Sequence, residues 1–210
     1  GTIIYGGGTL YSGGDMYFHN AAVLRLDADW TMDSPALIIY GSSITGVGLF
    51  TNEGTTRGYD ITINADMVNY GLLDFHHDSG GSVNYINGSF SNELGAILRL
   101  RAYAYYNYTS YYTAYLTIAS GFNNYGLIEL MDTYSSSYGR DTTVTLTVAT
   151  GELVNEGTID VTSTRAAATR YINASIDNRG TINVDRQLYL QQAGASYVNS
   201  GTINVTGGGL

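Results

Sequence analysis

The chain has 210 residues and no cysteine, which excludes a disulfide framework and a thiolate-ligated metal site. Its formal net charge is −9, and its nine basic residues are arginines scattered from Arg25 to Arg186, so the clustered basic surface that binds nucleic acid is absent. The absence of lysine excludes Lys–Asn isopeptide cross-links, and no apolar run is long enough to cross a membrane as a helix.

The composition favours short strands joined by tight turns. Glycine occurs 27 times and tyrosine 20 times, against a single proline, and Thr, Ser and Asn are abundant. β-Branched and aromatic residues interspersed with Gly and Asn are typical of β-structure, and no helical pattern fills the intervals between them. A βαβ fold is therefore not expected.

A nine-residue motif recurs along the chain: apolar, any, Asn, any, Gly, any, apolar, any, apolar. Its clearest copies read Leu153-Val-Asn-Glu-Gly-Thr-Ile-Asp-Val161 and Ile176-Asp-Asn-Arg-Gly-Thr-Ile-Asn-Val184. The first copy has alanine in place of glycine, the second is truncated, and the copy at Phe90 has one extra residue, which indicates a bulge. In chain order the copies begin at Phe18, Phe50, Met67, Phe90, Phe122, Leu153, Ile176 and Tyr197.

The asparagines of these copies are 17 to 32 residues apart, which is typical of the rungs of a β-solenoid with extra length looped out on the surface. They are Asn20, Asn52, Asn69, Asn92, Asn124, Asn155, Asn178 and Asn199.

Alternation at period two places the first apolar residue, the Asn, the Gly and the last two apolar residues of each copy on one face, towards the interior. The Asn and Gly then occupy a bend between two strands, where both residue types tolerate a positive φ. Stacked coils would align the asparagines so that each side-chain amide bonds the next. The predicted ladder residues are Asn52, Asn69, Asn124, Asn155, Asn178 and Asn199.

A further alternating strand precedes most copies, for example Val144-Thr-Leu-Thr-Val148 and Leu188-Tyr-Leu190. Each coil then consists of a strand, a short turn, a second strand, the Asn–Gly bend and a third strand. Because parallel crossovers are nearly always right-handed, the pattern favours a right-handed coil. We predict an all-β fold, a right-handed parallel β-helix of about eight to nine irregular coils, in which residues 1–210 form one solenoid segment.

The Asn-x-Gly-Thr-Ile stretches at Asn155, Asn178 and Asn199 resemble the repeats of filamentous haemagglutinin-type adhesins and of autotransporter passenger domains. The resemblance extends over about residues 18 to 205. It implies a β-helix on the outside of a bacterial cell, with a structural or adhesive role. Pectate lyases and phage tailspikes share the general architecture, so glycan binding or cleavage is an alternative.

The two ends of the chain carry similar sequence. Gly1-Thr-Ile-Ile-Tyr-Gly-Gly-Gly-Thr-Leu10 resembles Gly201-Thr-Ile-Asn-Val-Thr-Gly-Gly-Gly-Leu210, so Gly1 enters the motif at its glycine. The likeness favours one unit of a longer array, and a fragment or a chance likeness between two coils are the alternatives. The partners expected from it are further copies or coils of the same protein, joined end to end.

Two segments contain candidate binding residues. Tyrosines stack on sugar rings and their hydroxyls bond glycans, so a tyrosine-rich segment is a candidate glycan or partner contact, the alternative being a strand pair with tyrosines packed along it. These residues are Tyr103, Tyr105, Tyr106, Tyr108, Tyr111, Tyr112 and Tyr115. Asp74, His76 and Asp78 form the densest titratable group and are a candidate metal or acid–base site, against the alternative of solvent-exposed side chains.

No cofactor is implied by the sequence. Asp27 and Asp29 share one strand face and could bind calcium, but the nonapeptide calcium repeat is absent, and solvated acids explain them as well. The chain also lacks the nucleophile elbow, the Walker loop and the dinucleotide fingerprint. We expect a non-enzymatic, extracellular segment of a fibre or surface protein. A glycan-binding or glycan-cleaving β-helix and a self-assembling sheath or surface-layer subunit are the alternatives.

Overall fold

The computed structural model describes residues 3–10, 13–76, 82–104, 112–134, 142–164, 168–207 and 209. All the regular structure in these ranges is β-strand. The strands are β1 (Ile3–Leu10), β2 (Met16–Phe18), β3 (Val23–Met32), β4 (Leu37–Tyr40), β5 (Ser43–Gly46), β6 (Phe50–Asn52), β7 (Thr55–Tyr59), β8 (Thr62–Ile63), β9 (Met67–Asn69), β10 (Leu72–His76), β11 (Ser82–Ile86), β12 (Phe90–Asn92), β13 (Ile97–Ala104), β14 (Tyr112–Ile118), β15 (Phe122–Asn124), β16 (Leu127–Tyr134), β17 (Thr142–Asn155), β18 (Thr158–Val161), β19 (Thr169–Asn178), β20 (Thr181–Val184), β21 (Leu188–Leu190), β22 (Tyr197–Asn199) and β23 (Thr202–Val205).

The strands of the described ranges form two all-parallel sheets, one of 14 strands and one of nine. The smaller sheet takes one strand from each coil in the order β2-β4-β7-β10-β13-β16-β18-β20-β23. The larger sheet takes the other strands of each coil, and long strands such as β17 and β19 run through two strand positions of one coil. This arrangement is a parallel β-solenoid of nine coils over the described residues, which confirms the predicted fold.

Apolar residues at alternate positions stack in register through the interior. One column of the smaller sheet pairs Leu98 with Ile128, Ile128 with Ile159 and Ile159 with Ile182, all of them buried. Because side chains two residues apart on a strand share a face, each coil contributes several such columns to one continuous core. At roughly 1.5–3 kcal/mol for each fully buried aliphatic side chain, burial in these columns is the main force that holds the coils together.

Each coil turns from the larger to the smaller sheet at the Asn–Gly bend, and close packing there requires glycine. A Cβ on Gly157 would lie 2.1 Å from the carbonyl oxygen of Gly126 in the preceding coil, and one on Gly180 would lie 2.1 Å from that of Gly157. These glycines do not have a positive φ, and neither do the asparagines of the predicted ladder. The expectation of positive φ was therefore wrong, because contact between coils is what excludes a side chain.

The motif copy at Phe18 is out of phase with the others. Phe18 lies in the smaller sheet and Val23 in the larger sheet, the reverse of the order in the other copies. Asn20 between them is exposed, has a φ of 61° and lies outside the ladder. In this coil Met32 occupies the strand position that asparagine has in the later coils, because Met32 pairs in register with Asn52.

The similar segments at the two ends occupy different places in a coil. Residues 3–10 form β1 in the larger sheet, beside β3. Residues 202–205 form β23 in the smaller sheet, beside β20. The interpretation that both enter the motif at the same point was therefore wrong.

Candidate functional site

Seven asparagines of the described chain form a ladder along the Asn–Gly bends, and all but the last of them are buried. The Nδ2 group of each donates to Oδ1 of the next, for example Asn124 to Asn155 and Asn155 to Asn178, both at 2.7 Å. The same Nδ2 also donates to a backbone carbonyl of the next coil, as from Asn155 to Thr181 at 3.2 Å. The members are Asn52, Asn69, Asn92, Asn124, Asn155, Asn178 and Asn199.

The two ends of the asparagine ladder differ. At the first end the hydroxyl of Thr56 donates to Oδ1 of Asn52 at 2.9 Å. At the other end Asn199 is exposed, and its Nδ2 reaches the carbonyl of Gly201 in its own coil at 3.4 Å. Oδ1 of Asn52 therefore has a hydrogen-bond donor inside the solenoid, whereas the side-chain amide of Asn199 is exposed to solvent.

All six asparagines predicted for the ladder belong to it. The prediction omitted Asn92, which donates to Asn124 at 2.7 Å and accepts from Asn69 at 2.8 Å. Its copy of the motif contains the extra residue, which obscures the pattern without displacing the asparagine. Its spacing from its neighbours was the signal that could have included it.

Two of the seven candidate tyrosines have described side chains. Tyr115 is exposed on the outer face of the larger sheet, and Tyr103 is half-buried beside His76, with ring centroids 5.6 Å apart. Tyr112 begins β14. Tyr105, Tyr106, Tyr108 and Tyr111 lie outside the described residues, so a contact made by the whole segment remains a prediction.

A column of aromatic rings, stacked at one end and edge-to-face at the other, lies on the outer face of the smaller sheet and was not anticipated. Tyr40 and Tyr59 stack with centroids 4.2 Å apart, and His19 stacks on Tyr40 at 4.6 Å. Only pairing between coils aligns these three side chains, since His19 and Tyr40 are 21 residues apart in sequence and Tyr40 and Tyr59 are 19 apart. The column contains Tyr17, His19, Tyr40, Tyr59, His76 and Tyr103.

The candidate metal residues Asp74 and His76 have other contacts. The carboxylate of Asp74 is buried and lies 2.7 Å from Nη2 of Arg101. The ring of His76 lies in the aromatic column, with Nδ1 3.2 Å from the hydroxyl of Tyr59. Asp78 lies outside the described residues. Among the residues that are described, no group of three or more His, Asp or Glu side chains could hold a metal ion.

Asp27 and Asp29, the acids considered for calcium, likewise have other contacts. Asp27 is 2.8 Å from Nε of Arg25, and both side chains are about half exposed. Asp29 accepts a hydrogen bond from the backbone N–H of Leu49 in the next coil at 2.9 Å. An ion pair therefore accounts for the carboxylate of Asp27, and a hydrogen bond between coils accounts for that of Asp29.

Sequence reasoning missed a buried ion pair between Arg170 and Asp132. The nitrogen–oxygen distance is 3.0 Å, and both side chains are fully buried. Burial alone would raise the pKa of Asp132, but hydrogen bonds from Ser163, Thr164 and Thr142 outweigh it and lower the pKa below the usual 3.8. Burial also lowers the pKa of the Arg170 guanidinium from its usual value, although the adjacent carboxylate opposes this change.

A groove of about 730 Å³ runs along the outside of the Asn–Gly bends of four successive coils. Its floor contains the motif glycines Gly126, Gly157 and Gly180. Apolar side chains line one end and polar side chains the other. The main ones are Leu94, Ile97, Tyr125, Glu156, Thr158 and Asp160.

No known family model matches the chain, and no curated protein or solved structure gives a significant match. The described residues contain no helix of the length and apolarity needed to cross a membrane. The parallel β-solenoid and its surfaces are therefore the basis for assigning a function.

Proposed function

We propose that this chain is a structural or adhesive segment of an extracellular fibre or surface protein, in which the stacked coils form a rigid rod. The observation that carries the proposal is the asparagine ladder, whose hydrogen bonds run along the rod axis from Asn52 to Asn199. Backbone hydrogen bonds of two parallel sheets run in the same direction. Bending or stretching the rod would strain many of these bonds at once.

The ninth coil supports a rod that grows end to end. All three residues of β22 are exposed, and an apolar cavity of about 60 Å³ opens between Leu190, Tyr197 and Ile203. Exposed strand edges and an open core favour pairing with another coil. We propose that further copies or coils of the same protein cover this surface.

Sheet geometry identifies a backbone N–H that would donate a hydrogen bond to the added coil. The N–H of Ile176 donates to Ser196 of the next coil at 2.9 Å, and Tyr197 pairs in register with Ile176. In a parallel sheet the N–H of Tyr197 must therefore point away from the eighth coil, towards an incoming strand. Proline at this position would remove that donor without breaking a bond to the eighth coil.

Negative-stain electron microscopy and sedimentation velocity test the rod. We expect particles of constant width that lengthen with protein concentration. Tyr197→Pro should reduce the lengthening, and the control Tyr197→Thr, which keeps the N–H, should reduce it less. Wild-type particles that stay monomeric at every concentration would contradict end-to-end assembly.

A non-catalytic role fits the contacts of the groove acids. Glu156 lies 3.3 Å from Nη1 of Arg179, and Asp160 accepts from Nδ2 of Asn183 at 2.7 Å. Both acids come from the same coil, whereas a glycan-cleaving groove would be expected to draw acids from adjacent coils. Incubation with polysaccharides tests this point, since release of shorter chains would support the enzymatic alternative.

A further inference from the structure

The groove owes one wall to the irregular bend of the fifth coil. Asn92 pairs in register with Asn124 and Ile97 with Leu127, so this bend has two residues more than the next one, not the single extra residue expected from the sequence. The bend loops outward in a turn in which the N–H of Ala96 donates to the carbonyl of Glu93 at 3.0 Å. Gly95 takes a φ of 83° there, and Leu94 is 85% exposed. The two extra residues thus raise an apolar side chain beside the groove.

The floor of the groove is bare backbone. A Cβ on Gly126, Gly157 or Gly180 would lie 2.1 to 2.4 Å from a backbone oxygen of the preceding coil, so these three floor positions require glycine and carry no side chain. A ligand can therefore approach the peptide planes closely over successive coils. Since these glycines stack coil on coil, the open floor runs parallel to the rod axis and suits a linear ligand.

Backbone groups of the floor are already bonded between coils. The N–H of Gly157 donates to Asn124 at 2.9 Å, and its carbonyl accepts from Thr181 at 2.9 Å. Gly126 and Gly180 have equivalent bonds. An extended peptide recognised by strand addition needs unused backbone donors and acceptors, which this floor does not offer. Recognition in the groove must therefore come from side chains.

The side chains change in character along the groove. Leu94, Ile97 and the ring of Tyr125 form an apolar end, whereas Glu156 and Asp160 place carboxylates at the polar end. Each carboxylate has acceptor positions beyond the one hydrogen bond described above. These acceptors suit a ligand rich in hydroxyl donors, and their charge, with the net charge of −9, disfavours an anionic one.

We propose that the groove binds a neutral oligosaccharide chain that lies along the rod axis. Its ring faces pack against Leu94 and Tyr125, and its hydroxyls donate to Glu156 and Asp160. This inference rests on the proposed adhesive role and names the class of ligand through which the rod adheres.

Isothermal titration calorimetry with cellohexaose, maltohexaose and mannohexaose tests the proposal, with hexagalacturonate as the acidic comparison. We expect at least one neutral hexasaccharide to bind and hexagalacturonate to bind more weakly. Tyr125→Ala and Leu94→Ser should each weaken binding roughly tenfold, as truncation of a central contact does. The control is Tyr70→Ala, because Tyr70 has the same place in the motif and is 53% exposed but lies outside the groove.

Three results would overturn the groove proposal: no binding of any neutral probe, binding of hexagalacturonate as tight as that of the neutral probes, or equal losses in Tyr70→Ala and Tyr125→Ala. Electron microscopy of the same samples separates this proposal from the rod. Chains that assemble but bind no neutral probe overturn only the groove, and monomeric chains that bind one overturn only end-to-end assembly.

Discussion

The guanidinium of Arg170 lies 3.0 Å from the carboxylate of Asp132, and both side chains are fully buried. Arg170 pairs in register with Val144 and Leu188, which are buried apolar residues, so it occupies a core position. A charge in such a place is tolerated only with a partner. The pair therefore links the end of β16 to the start of β19, two coils further along.

Removal of one partner should be costly. We expect Asp132→Ala to lower the free energy of unfolding by about 3–5 kcal/mol, because the guanidinium of Arg170 would stay buried without its counter-charge. Urea denaturation followed by circular dichroism measures the effect. The control is Glu129→Ala, which removes the partner of Arg99 from a pair that is about a quarter exposed and should cost roughly 1 kcal/mol or less. Equal losses in the two variants would contradict a special role for the buried pair.

Asp132 should also make stability depend on pH. Its pKa is below 3.8 in the folded chain, because the hydrogen bonds that it accepts outweigh the effect of burial. A carboxyl with a lowered folded pKa contributes stability that is present above its unfolded pKa and is lost as pH falls through the folded one. We expect the urea midpoint to fall below about pH 4, and to fall less steeply in Asp132→Asn.

Asp66 supplies a comparison for this acid titration. Its pKa is lowered by the backbone N–H of Ser89, which donates to it at 2.8 Å, but its side chain is exposed. Asp66→Asn should therefore change the pH dependence less than Asp132→Asn does. A steeper acid loss in Asp132→Asn than in the wild type would show that the assigned direction of the pKa shift is wrong.

The sequence predicted the repeating parts of the fold and missed features that depend on contacts between particular coils. Apolar alternation at Ile159 and Ile182 predicted the columns because every coil obeys the same period. Arg170 breaks that pattern, because it is a charged residue at a core position. The only sign that its side chain points inward was its position two residues before Ile172, on the same face of the strand. Its partner Asp132 is 38 residues away, a distance over which local pattern carries no information.

The candidate sites were likewise predictable only where they follow from the repeat. The extra residue in the motif copy at Phe90 predicted a bulge, but the groove beside that bulge exists only because Tyr125 and Glu156 are contributed by later coils. The aromatic column likewise needs the register that brings Tyr40 against Tyr59. The asparagine ladder was predictable because its residues share one motif position, so correct stacking of the coils aligns them.

The asparagine ladder should contribute measurably to stability. We expect Asn155→Ala and Asn178→Ala each to cost about 1–3 kcal/mol, because the backbone carbonyl of the next coil and the neighbouring amides lose buried partners. Asn123→Ala is the matched control, since Asn123 precedes Asn124 on β15 but is exposed on the opposite face. Unchanged urea midpoints in both ladder variants would rule out an energetic role for the ladder.

The motif glycines offer a test of why glycine is required. Gly157 lies in the bend without a positive φ, and any Cβ there would lie 2.1 Å from the carbonyl oxygen of Gly126. Gly95 has a φ of 83° and open space around its Cβ position. Asparagine adopts a positive φ more readily than alanine, so the two causes predict different rankings of substitutions.

At Gly157 we expect alanine and asparagine both to destabilise the chain by at least about 1–3 kcal/mol, since either side chain forces adjacent coils apart. At Gly95 asparagine should be tolerated better than alanine, because only the backbone conformation opposes substitution there. Urea midpoints of the four variants, with Gly14→Ala as a substitution into open space, measure the difference. If Gly157→Asn were as stable as the wild type, contact between coils could not be the reason for glycine in the motif.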